Sequence, residues 1–184
     1  MFERRFQKMC AAAVPCVVLS AVLIVTGCAP EAEAENRENA EHTVLADGGT
    51  GDATLAAAIA AAPTIKVYKS PTCGCCALWV DHMREAGFEL DVEDTHDMLG
   101  VKMDAGLPLQ LQSCHTALVG DYVFEGHIPA DVIARFLAEA PSARGLAVPG
   151  MPIGSPGMEF GDRVDPYDVI QFDAEGSTSV YESR

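Results

Sequence analysis

The alternation of apolar and polar positions predicts a regular order of strands and helices in the middle of the chain. Period-two alternation is typical of half-buried strands, and apolar residues three and four apart are typical of helices. The predicted strands cover 64–68, 88–92, 116–119 and 122–125. The predicted helices run from the cysteines near 73–76 to Gly87, from Asp94 or Thr95 to about Ala105, and from Pro129 to Pro141. Because only Gly120-Asp121 separates the last two strands, we expect them to form an antiparallel hairpin.

A basic and then apolar segment precedes this region. Arg4, Arg5 and Lys8 lead into an apolar run over 11–25, which is shorter than the roughly 20 residues of a membrane span and suits a signal peptide. The run ends in Val25-Thr26-Gly27-Cys28, which resembles the bacterial lipobox. We predict cleavage before Cys28 and lipidation of Cys28, with an ordinary secretory peptide as the alternative. Ala29 favours the outer membrane, so the protein is expected to be lipid-anchored in the cell envelope, facing the periplasm.

Two further segments flank the predicted domain. Glutamates alternate with alanine and asparagine after Cys28, and glycines follow, a composition typical of an extended linker. A short helix is expected over 53–62. After Pro141 the chain is rich in glycine, proline and methionine. The predicted organisation is a signal peptide (1–27), an acidic tether (28–63), a folded domain (64–140), and a Gly/Pro/Met-rich C-terminal extension (141–184).

Charge and hydrophobic content limit the possible partners. The 184 residues carry 27 acids and 12 bases, for a net charge of −15. Such a chain is repelled by nucleic-acid phosphates and by anionic lipid surfaces. We therefore expect no nucleic-acid partner, and membrane contact through the lipid anchor only. Hydrophobic residues make up 49% of the sequence, which is enough for a packed core and excludes wholesale disorder.

The order of elements over 64–140 resembles that of thioredoxin-like proteins. We therefore predict an α/β fold, with a sheet of about four strands and flanking helices. Cys73-Gly74-Cys75-Cys76 stands between the first strand and the first helix, where thioredoxins carry Cys-x-x-Cys. Aligning 116–119 with the third strand puts His115 at the position of the thioredoxin cis-proline and Cys114 just before it. Metal-bridged relatives of thioredoxin imply that losing this proline opens the dithiol to a bridging ion.

The cysteine pattern indicates metal or thiol chemistry. Cys73 and Cys76 have the spacing of a redox dithiol, and a helix N-terminus stabilises thiolates there. Cys75 adds a third thiol, and Cys114 is expected to project toward the same loop. Four converging thiolates select Cu(I), Zn(II) or an iron–sulfur cluster. The alternatives are a redox pair with two spare cysteines, or a purely structural disulfide.

Methionine and histidine residues favour copper among these metals. Met151 and Met158 lie in the Gly/Pro-rich segment, and a thioether suits Cu(I) better than Zn(II). This segment is expected to fold over the thiols as a lid and to supply a ligand, although methionines also fill gaps in cores. His96, His115 and His127 are available as nitrogen ligands. His115 is favoured by its neighbour Cys114, and His127 by its position after a strand.

Four motifs in order resemble the CopG-type copper-resistance family, formerly catalogued as a domain of unknown function. They are Cys73-Gly74-Cys75-Cys76, Ser113-Cys114-His115-Thr116-Ala117, Glu125-Gly126-His127-Ile128-Pro129-Ala130 and the stretch 145–159. The match spans about residues 64–175. The resemblance implies a periplasmic thioredoxin-like protein that holds copper ions in a cysteine-bridged cluster. It also implies a possible role in interconverting Cu(I) and Cu(II).

The sequence therefore predicts a lipid-anchored envelope protein that binds Cu(I) for copper tolerance. The predicted metal ligands are Cys73, Cys75, Cys76, Cys114, Met151, Met158, His115 and His127. The expected partners are copper ions and other copper-handling proteins of the envelope. A thiol–disulfide oxidoreductase of the envelope is the main alternative, and a zinc-stabilised interaction module is a third. An enzymatic role stays open, as a copper oxidoreductase activity.

Overall fold

A computed structural model describes residues 49–184 of the chain. The predicted signal peptide, Cys28 and most of the predicted tether lie outside the described residues. Within residues 49–184, no helix is long and apolar enough to cross a membrane.

The described residues form helices and strands in mixed order. The helices are α1 (Gly49–Ala61), α2 (Gly74–Glu85), α3 (Met98–Asp104) and α4 (Ala130–Glu139), and Leu109–Leu111 forms a 3-10 turn. The strands are β1 (Ile65–Lys69), β2 (Leu90–Asp94), β3 (His115–Val119), β4 (Tyr122–Glu125), β5 (Gly145–Ala147), β6 (Asp168–Phe172) and β7 (Thr178–Ser183). Every strand and helix predicted between 64 and 140 is present, in the predicted order. The α/β class is therefore confirmed.

The strands form one sheet in the order β2-β1-β3-β4-β5-β6-β7. β1 is parallel to β2, and β4 is parallel to β5. The other neighbours are antiparallel. Val119 pairs with Tyr122 across Gly120-Asp121, which confirms the predicted hairpin of β3 and β4.

The prediction of about four strands was wrong, because the sheet has seven. The additional strands β5, β6 and β7 all come from residues 141–184, for which the sequence predicts a lid and an extension. β5 is three residues long and begins with glycine, a residue that is depleted in strands. β7 is a partly exposed edge strand without an alternating apolar face. Neither pattern can be distinguished from a loop until a neighbouring strand supplies its hydrogen bonds.

Two helices pack their apolar faces on the sheet and build the core. The predicted face of α2 is buried, from Cys76 through Trp79 and Val80 to Met83. α4 buries Val132, Ile133 and Phe136, and it also contacts α1. The buried face of α2 begins at Cys76, so burial of the helix holds its N-terminal turn against the sheet. The cysteines of that turn are positioned by this packing.

Candidate metal centre

Three cysteines lie at the N-terminus of α2, and we call Cys73, Cys75 and Cys76 the loop half of the site. Cys73 is the N-cap residue of α2, and its sulfur accepts a hydrogen bond from the backbone N–H of Cys76 at 3.3 Å. Cys73 and Cys76 form a disulfide with a Cα–Cα distance of 5.3 Å. Cys75 is a free thiol, and its sulfur lies 3.5 Å from that of Cys73. The loop half therefore combines an oxidised pair with a third, unpaired thiol.

The other side of the site comes from the two strands of the hairpin, and we call Cys114, His115 and His127 the hairpin half. Cys114 directly precedes β3, and His127 follows β4 after Gly126. Because β3 and β4 are antiparallel, with Thr116 opposite Glu125, the start of one strand meets the end of the other. The Cys114 sulfur lies 3.0 Å from His127 Nε2 and 3.4 Å from His115 Nδ1.

The two halves meet through Cys114. The sulfur atoms of Cys73, Cys75, Cys76 and Cys114 all lie within 4.8 Å of one another. Ligand atoms of Cys114, His115 and His127 also lie within 4.8 Å of one another. The structure therefore brings together the four predicted cysteines and the two favoured histidines, with Cys114 as the member common to both groups. His96, by contrast, is exposed and belongs to neither group.

The two histidine rings are buried and oriented by their neighbours. His115 lies against Trp79, with ring centroids 4.3 Å apart, and meets His127 edge-on at 5.0 Å. Trp79 Nε1 in turn donates to the Ile128 carbonyl at 2.8 Å, which ties α2 to the segment after β4. His127 Nδ1 lies 2.8 Å from the Pro156 carbonyl oxygen. A carbonyl only accepts, so Nδ1 carries the proton and Nε2 presents its lone pair toward Cys114.

Burial sets the protonation of the hairpin half. Burial lowers the pKa of His127, and burial together with His127 lowers the pKa of His115 well below 6.5. Both rings are therefore neutral at neutral pH, as nitrogen ligands must be. Burial, followed by the nearby Cys75, raises the pKa of Cys114 from 9.0 to about 12. Its thiol is protonated at neutral pH without a metal, so binding of a soft cation would release a proton.

The Gly/Pro/Met-rich loop, residues 149–158, lies against the first turn of α2. Gly157 has a φ of +82°, and a Cβ atom there would lie 2.6 Å from the Cys75 carbonyl oxygen. Only glycine allows this close approach. Met158 follows directly and is half-buried. Met151 is 54% exposed and lines a surface cavity of about 460 Å³ with residues such as Pro149 and Tyr167. No cysteine is among the described residues that line this cavity.

A buried polar network that the sequence does not predict lies behind the hairpin half. Lys102 on α3 and Glu125 on β4 form an ion pair at 2.5 Å. Lys102 is 5% exposed and Glu125 is fully buried. Thr116 accepts from the Lys102 ammonium group at 3.0 Å and donates to Glu125 at 2.7 Å. A lysine in a short helix usually indicates a solvated face, so the sequence contains no sign of its burial. Glu125 does stand two residues before His127 in the Glu125-Gly126-His127-Ile128-Pro129-Ala130 motif.

One protein family and two solved structures are similar to this chain. The family described as "Protein of unknown function, DUF411" matches residues 111–158, which include Cys114, both histidines and the loop. Among curated proteins, none matches the chain. Two solved structures are titled "Copper resistance protein copG", Form 1 and Form 2, and each is 40% identical to the chain. The Form 1 match has a TM-score of 0.64 and covers 67% of this chain and 98% of that one. The Form 2 match has a TM-score of 0.63, with 66% and 97% covered.

Proposed function

The chain belongs to the family of CopG copper resistance proteins, and we propose that it holds Cu(I) in a cysteine thiolate cluster for copper tolerance. The observation that carries this proposal is the convergence of four cysteine sulfurs from two separate segments within 4.8 Å of one another. Thiolates are soft ligands that prefer Cu(I). Copper is here the cargo of the protein, and Cys73, Cys75, Cys76 and Cys114 are its proposed ligands.

Neutral ligands complete the proposed set. His115 and His127 are supported by their distances to Cys114 and by their neutral, buried rings. Met158 is supported by the contact of the neighbouring Gly157 with the Cys75 backbone. The proposed set does not include Met151, because its side chain is exposed on a cavity whose described lining contains no cysteine.

Full binding requires reduction of the disulfide. Opening the Cys73–Cys76 bond takes two electrons and two protons and yields two thiols. The oxidised protein offers only Cys75 and Cys114 as free thiols among the described residues. The test is anaerobic titration of reduced and oxidised protein with Cu(I), with Zn(II) as the competing metal. We expect the reduced protein to bind more than one Cu(I) per chain, to prefer it over Zn(II), and to bind more than the oxidised protein. Absence of stoichiometric copper in the reduced protein would refute the proposal.

The same pair of cysteines can supply the two electrons that the proposed copper oxidoreductase activity requires. Two Cu(II) ions would take one electron each from the reduced pair, giving two Cu(I), one disulfide and two protons. Anaerobic mixing of reduced protein with Cu(II) should therefore produce about two Cu(I) for each disulfide formed, as the two-electron disulfide couple requires.

A thiol–disulfide oxidoreductase is the second candidate function, and the Cys73–Cys76 disulfide at the start of α2 favours it.

We further propose that residues 64–140 are a thioredoxin-like unit, supported by their element order and by the strand order β2-β1-β3-β4. His115 would then take the place of the cis-proline, so we expect weak reduction of insulin. Strong insulin reduction without stoichiometric copper would favour this candidate over copper binding.

We also propose that the mature protein is a lipoprotein of the outer membrane, facing the periplasm and exchanging copper with other envelope proteins. This rests on the basic and apolar N-terminus and the Val25-Thr26-Gly27-Cys28 motif. A Cys28→Ser variant should leave the membrane fraction and appear in the soluble envelope fraction. If it still sediments with the outer membrane, another anchor is present.

A further inference from the structure

The Lys102–Glu125 pair lies where it can hold the hairpin half in place. The Glu125 carboxylate accepts from Lys102 Nζ at 2.5 Å, from the Thr116 hydroxyl at 2.7 Å and from the Ser113 backbone N–H at 2.6 Å. These donors come from α3, from β3 and from the segment that precedes β3. One carboxylate therefore ties three parts of the chain together.

A buried ion pair is a poor way to stabilise a fold. Removing two charges from water is costly, and well-packed apolar side chains of similar volume often stabilise a protein as well or better. The benefit of such a pair lies in the geometry it imposes. Here that geometry concerns Ser113, whose N–H contacts Glu125 and whose hydroxyl donates to the Gly150 carbonyl.

Ser113 is the residue before Cys114, so fixing Ser113 fixes the start of the hairpin half. On the other side of Cys114, the His115 carbonyl accepts from the Gly126 N–H at 3.0 Å. Glu125 itself ends β4 two residues before His127. Glu125 therefore reaches the residue before Cys114 through its carboxylate and lies two residues before His127 in the chain, so it adjoins both partners of the 3.0 Å contact between Cys114 and His127.

We propose that Glu125, held by Lys102, is a positioning residue that fixes Cys114 and His127 in the geometry required for copper binding. This inference rests on the proposed function. Outer-shell partners of metal ligands typically change metal affinity by about 10–100-fold when they are lost. Glu125 acts in the same way, through the backbone of Ser113 rather than through a ligand ring.

The test compares two double variants that differ in whether residue 125 offers polar groups to Ser113 and Thr116. In Lys102→Met, Glu125→Gln, the amide oxygen can accept from Ser113 and the amide NH₂ can donate to Thr116. In Lys102→Met, Glu125→Leu, the volume is similar but the acceptor is lost. We expect the Leu variant to bind Cu(I) at least about tenfold more weakly than the Gln variant. A Lys66→Met, Asp91→Leu control removes an exposed ion pair of 2.9 Å between β1 and β2 and should bind copper like the wild type.

Two further measurements separate positioning from a general loss of structure. First, adding Cys114→Ser to the Leu variant should lower the affinity by a smaller factor than Cys114→Ser does in the wild type, because part of the Cys114 contribution is already lost. Second, iodoacetamide should alkylate Cys114 of the copper-free Leu variant faster than that of the Gln variant, as mapped by mass spectrometry. If the Leu variant does not fold, Glu125→Asp replaces it, because aspartate keeps the charge and shortens the reach to Ser113.

Equal copper affinity and equal alkylation in the two variants would overturn the inference. So would full additivity of the affinity losses when Cys114→Ser is combined with the Leu variant. If the wild type binds no Cu(I), the proposed function fails. The alkylation rates of copper-free protein still decide whether Glu125 positions Cys114.

Discussion

The loop half and the hairpin half of the site are built in opposite ways. The loop half is one turn of chain at the start of α2, and two of its three sulfurs are joined in a disulfide. The hairpin half is assembled from the ends of two strands, and both of its histidines are fully buried. The loop half can therefore change its redox state locally, whereas the hairpin half depends on the sheet behind it.

This difference separates two tasks within one site. The loop half supplies most of the thiols, and under the proposed function its capacity for Cu(I) depends on whether the disulfide is open. The hairpin half supplies the thiol common to both ligand groups and two neutral nitrogen atoms. Among residues 49–184, only Cys114 belongs to both groups, so the comparison can be tested at that residue.

The largest effect is expected from Cys114→Ser compared with Cys75→Ser. Loss of Cys114 breaks both ligand groups, whereas loss of Cys75 leaves the hairpin half intact. We expect Cys114→Ser to lower Cu(I) affinity by more than the roughly 100-fold upper range for outer-shell partners, and to reduce the copper bound per chain. Competition with a chromophoric Cu(I) chelator measures both. If Cys75→Ser causes the greater loss, the two halves do not meet through Cys114.

An intermediate effect is expected from Gly157→Ala, which tests the contact between the loop and α2. The matched control is Gly150→Ala, since Gly150 also has a positive φ, +73°, but no atom within 4 Å of an added Cβ. Backbone strain of about 1–2 kcal/mol is common to both variants. Overpacking against the Cys75 carbonyl adds about 1–3 kcal/mol at Gly157 alone. Thermal unfolding of the copper-free proteins measures the difference in stability between the two variants. If both variants lose the same stability, the loop does not pack on α2.

The smallest effect concerns pH and the buried thiol of the hairpin half. Burial raises the pKa of Cys114 from 9.0 to about 12, so the folded state holds a proton that the unfolded state releases. The stability contributed by the neutral thiol is present below pH 9 and is lost as pH rises from 9 toward 12. The unfolding temperature of the copper-free wild type should therefore fall more steeply over this pH range than that of the Cys114→Ser variant. Parallel declines would indicate that the Cys114 thiol is not desolvated.

The loop half could be predicted because its information is local. Alternation over β1, a break at Ser70-Pro71-Thr72, and helical spacing from Cys76 to Met83 together place the cysteines at a strand–helix junction. The hairpin was predicted for the same reason, from two short strands around Gly120-Asp121. The presence of Cys114 near the loop half followed from resemblance to known folds, and not from periodicity.

Features that depend on distant partners could not be predicted. Strands β5, β6 and β7 lack a clear pattern of their own. They form because β5 pairs with the edge of β4, β6 with β5, and β7 with β6. Burial of Lys102 has no sign in the sequence of α3, because it arises from Glu125 and Thr116 on other elements. The exposure of Met151 likewise depends on the path of the loop.

The sequence by itself determined the family, the α/β class, the position of the cysteine loop and the chemical character of the donors. These depend on residue type and on spacing within one element. The tertiary structure decided that Cys114 lies 3.0 Å from His127, that both histidines are buried and neutral, and that the Lys102–Glu125 pair is buried beside Thr116 and Ser113. Distances between separate strands depend on register, and burial depends on what packs on each side. Neither quantity is a property of a single segment of chain.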